Sequence, residues 1–127
     1  MEKKITLIIG NAESGKTTKA KEIASSYDKE NVTWIDGYNC NKGFRRNFFY
    51  RSCDLNTELI IIDGIKDSSY IEHFFGDVTD GVSVDKPYKD AFYIYPDLII
   101  ICNEEVSIDD LPTESLAFNR RVSIVKM

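Results

Sequence analysis

The chain has 127 residues, 43% of them hydrophobic and 29% charged, the composition of one globular domain with a real core. Its net charge of −5 excludes a generic polyanion binder, and it holds no run of about 18 apolar residues that could cross a membrane. Three cysteines without C-x-x-C spacing and a lone histidine argue against a zinc site and for a reducing compartment. The N-terminal Met1-Glu2-Lys3-Lys4 leads into an apolar run too short for a signal-peptide core, so a cytoplasmic protein is expected.

Ile5-Thr6-Leu7-Ile8-Ile9 is a short, β-branched run that predicts a buried strand. Gly10-Asn11-Ala12-Glu13-Ser14-Gly15-Lys16-Thr17 follows, in the pattern G-x-x-x-x-G-K-T, with Thr18 behind it. Lys19 to Tyr27 then predicts a helix with an apolar stripe at Ala20, Ile23, Ala24 and Tyr27. Strand, glycine-bounded loop and helix form the context in which this pattern is a phosphate-binding loop. The glycines let successive N–H groups turn inward toward an anion, and the helix N-terminus adds partial positive charge. Residues Gly10 to Thr18 are therefore the expected nucleotide contacts. Lys16 is expected to reach the β- and γ-phosphates of ATP, and the Thr17 hydroxyl to ligate Mg²⁺.

Val32-Thr33-Trp34-Ile35 predicts a second strand, ending at Asp36-Gly37. Asn41 to Cys53 predicts a helix in which Lys42, Arg45, Arg46 and Arg51 alternate with Phe44, Phe48, Phe49 and Tyr50. Its aromatics suit a core-facing stripe, though basic residues among aromatics also suit single-stranded nucleic acid. Leu59-Ile60-Ile61-Ile62 is a continuously apolar third strand ending at Asp63-Gly64, and a helix is expected from Ser68 to Phe75. Val82-Ser83-Val84 and Ala91-Phe92-Tyr93-Ile94 flank a charged, proline-containing turn and predict a β-hairpin. Leu98-Ile99-Ile100-Ile101-Cys102 is another buried strand, ending at Asn103. After an acidic, irregular stretch, Arg121 to Val125 is the last.

Strands alternating with helices predict an α/β fold: a three-layer P-loop NTPase spanning residues 1–127, with a mostly parallel five-stranded sheet and a β-hairpin insertion. Ligands of such sheets bind beyond the carboxyl ends of the strands, where this chain places Asp36, Asp63 and Asn103. Asp63 behind four aliphatics is the Walker B pattern, so it joins Thr17 as an expected Mg²⁺ ligand.

Walker A, Walker B, a hairpin carrying lysine, a strand ending in Asn and an Arg pair before the last strand form an ordered set. That set resembles the ATPase core of superfamily 3 helicases, and most of all the helicase domain of circovirus-type replication initiators. The resemblance implies that Lys86 or Lys89 contacts single-stranded DNA. It implies that Asn103 positions the attacking water, and that Arg120 or Arg121 reaches the nucleotide of a neighbouring subunit. It further implies a homo-oligomer or larger replication assembly, here without the N-terminal nuclease and oligomerisation regions of such proteins. Gly64 stands where most relatives carry a second acid, so slow hydrolysis is expected, with Asp36 or Asp67 open as a substitute.

The expected function is thus a Mg²⁺-dependent, helicase-like ATPase linked to DNA replication or a mobile element. Two alternatives stay open: a small-molecule kinase of the nucleoside type, with Asp36 ending the second strand, and a nucleotide-binding module with little turnover.

Overall fold

The computed structural model describes residues 4–11, 14–37, 49–103, 106, 109, 111 and 116–127. Strand β1 (Ile5–Gly10) leads to helix α1 (Lys16–Ala24), and a 3-10 turn (Lys29–Asn31) feeds β2 (Val32–Asp36). Then come β3 (Leu59–Ile65), α2 (Ser68–Asp80), β4 (Val82–Val84), β5 (Phe92–Ile94), β6 (Asp97–Asn103), α3 (Leu116–Arg121) and β7 (Val122–Lys126). The helix expected from Asn41 lies mostly outside the described residues; of it, Tyr50 is buried and Phe49 packs on the core.

Five strands form one sheet in the order β2-β3-β6-β1-β7, and every pairing in it is parallel. β4 and β5 pair antiparallel as a separate hairpin, Val82 opposite Ile94 and Val84 opposite Phe92. Parallel strands covered on both faces read as unbroken aliphatic runs, and Leu59 to Ile62 and Leu98 to Ile101 are all buried. One face packs Ile8, Leu59, Ile61, Ile99 and Ile101 against Ala20, with Ile23, Ala24 and Tyr27 of the α1 region alongside. The other packs Leu7, Ile60, Ile62, Leu98 and Ile100 beneath α2, the hairpin and Phe118 of α3. Full burial of each such side chain contributes about 1.5–3 kcal/mol, so the two faces hold the layers together.

Four boundaries differ from the sequence expectation. α1 starts at Lys16 rather than Lys19, so the lysine and threonines of the loop belong to the helix's first turn. It stops at Ala24, where the Ser25 and Ser26 hydroxyls donate to the Glu22 and Ile23 carbonyls and compete with further helix. α2 runs through Gly76 to Asp80, because Ile71, Phe74 and Val78 carry its apolar stripe past the glycine. Arg121 closes α3 instead of opening the last strand. Among the described residues no helix is long and apolar enough to cross a membrane.

Candidate nucleotide site at the carboxyl end of the sheet

The end of β1 and the start of α1 set the site. Gly15 has φ +84°, a left-handed conformation that glycine adopts without a Cβ penalty, and it turns the chain directly into α1. Ahead of it, the Ser14 amide and hydroxyl both donate to the Asn11 carbonyl, at 3.3 and 2.8 Å. Gly15 offers no side-chain acceptor as N-cap, and the first turn of α1 carries no acid. The first amides of the helix therefore keep their capacity for an anion, reinforced by the helix dipole. Ala12 and Glu13 lie outside the described residues.

Lys16 is 8% exposed, and its ammonium donates to the Gly10 carbonyl at 2.5 Å. A buried cation is held at the mouth of the loop by a backbone acceptor, where a phosphate would be a stronger partner. Thr17 and Thr18 are exposed on the same turn.

Strand register sets the other candidates on two levels, the Asp36–Asp63 pair level with Ile8 and Asn103 level with Gly10. Gly10 is level with Asn103 on β6, and Asp63 on β3 is level with Asp36 on β2. Alternation along the strands puts Asp36 on the α1 face with Trp34, Asp63 with Ile61, and Asn103 with Ile101. The Asn103 carbonyl accepts from the Val106 amide at 3.0 Å, so the chain turns sharply as it leaves β6. Burial pushes the Asp63 carboxyl above its ordinary value of 3.8; the Asp36 charge adds to this and the Lys16 ammonium opposes it. Asp63 thus feels both the second carboxylate and the loop cation. Cys102 is fully buried, and desolvation pushes its thiol up to about 12 against a small opposing pull from Lys16.

β3 carries a bulge here. Asp63 is level with Ile101 and Ile65 with Cys102, so Gly64 takes the extra step at φ +95°. An L side chain is strained in that conformation, which explains why glycine follows Asp63. Sequence reasoning placed Asp36 and Asp63 at the carboxyl end of the sheet but not level with each other; the available signal was the Asp-Gly dipeptide shared by the end of β2 and the bulge of β3.

The remaining expected residues lie elsewhere. Val122 is level with Ile5, so Arg120 and Arg121 are at the opposite end of β1 from Gly10, a strand length of about 16 Å away. Arg121 donates to the Thr79 hydroxyl at 3.3 Å. Lys86 is half-buried in the hairpin turn and Lys89 is exposed; burial pushes the Cys53 thiol up to about 11, with Lys86 a small opposing charge. Neither lysine is brought to the loop.

Thr17 and Asp63 offer a hydroxyl and a carboxylate, hard oxygen donors of the kind Mg²⁺ uses when phosphates and water complete its shell. Among the described residues, no group of three or more His, Cys, Asp or Glu forms a metal cage.

No family model and no curated protein matches the chain. Among solved structures it is similar to the C-terminal region of NrS-1, in its A-form apo structure, with a TM-score of 0.60 and 13% sequence identity. The match covers 97% of this chain and 28% of that one, so the chain spans little more than a quarter of its neighbour's length. The likeness extends to the fold: an α/β domain with a five-stranded parallel sheet and an added hairpin.

Proposed function

We propose that the chain is a P-loop ATPase that binds ATP with Mg²⁺ at the Gly10–Thr18 loop and hydrolyses it slowly, in the manner of the superfamily 3 helicases its motifs resemble. One observation carries this reading: the buried Lys16 ammonium, held at the Gly10 carbonyl beneath an uncapped helix N-terminus. A buried cation with no carboxylate bonded to it among the described residues is costly in a purely structural role, whereas a triphosphate would neutralise it.

In this reading the amides of the loop and the first turn of α1 hold the β- and γ-phosphates. Lys16 leaves the Gly10 carbonyl for a phosphate oxygen and stabilises the charge that spreads as the terminal phosphoryl group departs. Thr17 and Asp63 hold Mg²⁺, which when bound screens the phosphate charges from one another. Asn103, level with Gly10 on the adjoining strand, helps position the attacking water near the γ-phosphate. Arg120 and Arg121, remote from their own loop, serve a neighbouring copy in an oligomer or a larger assembly. The hairpin lysines Lys86 and Lys89 remain the proposed contacts for single-stranded DNA, in a replication or mobile-element setting.

Thermal unfolding with and without ATP·Mg²⁺ tests the reading. A ligand that binds only the folded state raises the transition, by about 2.7 kcal/mol of stability at a hundredfold excess over Kd. Lys16→Ala is expected to abolish that rise. An undiminished rise in the variant would remove the loop from the site.

A further inference from the structure

We infer that Asp36 is the second carboxylate of this site and orients the water that attacks the terminal phosphate. The inference rests on the ATPase reading above and names the group that replaces the missing acid after Asp63.

Four observations lead to Asp36. First, its strand pairing sets it level with Asp63 and on the same face as α1, one strand farther from the loop. The loop on β1 holds the diphosphate that leaves. In-line displacement brings the nucleophile from the opposite side of the phosphorus, toward β3 and β2. Second, Asp36 is exposed while Asp63 is half-buried, so the outer carboxylate is the one that meets solvent. Third, the backbone behind it is fixed. A Cβ at Gly37 would lie 2.8 Å from Ile65 Cδ1 and 2.9 Å from the Asp63 carbonyl oxygen, so the Asp36-Gly37 turn is wedged against the β3 bulge. Fourth, two other positions among the described residues are excluded. Position 64 is held by the left-handed conformation of its glycine. Asp67 is the N-cap of α2, where its carboxylate accepts the Ser69 amide at 2.9 Å, and that bond holds its carboxyl below the usual range.

The step needs little proton chemistry, because the transition state is loose and orientation dominates. Asp36 accepts a hydrogen bond from one O–H of the water. The water oxygen bonds to the γ-phosphorus as the bridging P–O bond breaks, and that electron pair leaves on ADP. The water's protons stay on the product phosphate, which releases one to solvent.

Three proteins test this: wild type, Asp36→Ala and the isosteric Asp36→Asn. Each is assayed for the ATP·Mg²⁺ thermal shift, for the Mg²⁺ concentration that gives half-maximal shift, and for phosphate release at saturating ATP. Both variants are expected to bind ATP within about twofold of wild type while kcat falls about tenfold or more. Binding at wild-type strength with a lowered kcat is the split that a merely structural Asp36 would not produce. An unchanged kcat overturns the inference. So does a raised Mg²⁺ requirement, which would make Asp36 a cation ligand, and so does a wild-type protein that binds ATP and releases no phosphate. Lys16→Ala, run alongside, separates the two failures. If it leaves the thermal shift intact, the nucleotide reading itself fails; if it abolishes the shift while Asp36→Ala turns over normally, only the role of Asp36 fails.

Discussion

The two ends of the parallel sheet are built to opposite rules. At the amino end, polar groups satisfy one another. Asp97 accepts the Lys4 amide at 3.0 Å and the Tyr27 hydroxyl at 2.5 Å, and its own amide donates to the Glu58 carbonyl. Close by, the Thr57 hydroxyl accepts the Asp54 amide at 3.0 Å and lies 3.1 Å from that of Thr33. At the carboxyl end, Asp63 lies near a second carboxylate, the Lys16 ammonium has a carbonyl where a carboxylate would serve better, and Gly15 and Gly64 hold left-handed turns. One end is arranged for stability. The other keeps neighbouring like charges that a folded chain without a ligand would do better without.

Substitutions at the two ends are therefore expected to separate stability from binding. The largest loss falls at the amino end. Asp97→Ala strands the Lys4 amide and the Tyr27 hydroxyl and is expected to cost about 2–3 kcal/mol in denaturant unfolding, with the ATP response intact. Gly64→Ala comes next, at about 1–3 kcal/mol from the left-handed conformation, and because it disturbs the bulge it should weaken the ATP response as well. Stability equal to wild type in the Gly64→Ala protein would mean that the bulge relaxes freely. Tyr27→Phe removes one hydrogen bond of the amino-end set and should cost about 1 kcal/mol.

The smallest effect has the opposite sign. The Asp63 carboxyl is raised in the folded state, so folding favours its protonated form. Relative stability is fully present below the unfolded value near 3.8 and is lost as pH climbs through the raised folded value. Asp63→Asn should therefore melt roughly 1–3 °C higher at pH 7, with no gain below pH 3.8, while losing the Mg²⁺-dependent part of the ATP response. A lower melting point at pH 7 would show that Asp63 has a stabilising partner outweighing its burial and the Asp36 charge.

Much of this architecture is legible in the residues. The runs Ile5–Ile9, Leu59–Ile62 and Leu98–Cys102 are strands because aliphatics covered on both faces need no polar alternation. The hairpin is legible from two alternating runs around Pro87. The order of the strands is not: nothing local tells β6 to enter between β1 and β3, since that choice is made by the packing of whole layers. For the same reason the pairing of Asp36 with Asp63, and the distance of Arg120 and Arg121 from Gly10, emerge only from the register. The end of α2 escapes a local reading because glycine punctuates weakly inside a strong apolar stripe.

The strand order also has a consequence for how the chain folds as it is made. β1 is synthesised first, yet its two sheet neighbours are β6 and β7, both far downstream in the sequence. Within this sheet only β2 and β3 can pair early. The strand that carries the loop must wait with exposed edges until most of the chain has emerged. Contacts of such long sequence separation slow folding and leave apolar edges open to misassociation. Lys16 and Gly10 can come together early through α1, but the sheet that joins the loop to the Asp36–Asp63 pair is completed only when β6 docks between its two halves. The loop is thus the first part of the site to be translated, and the site as a whole is among the last things to form.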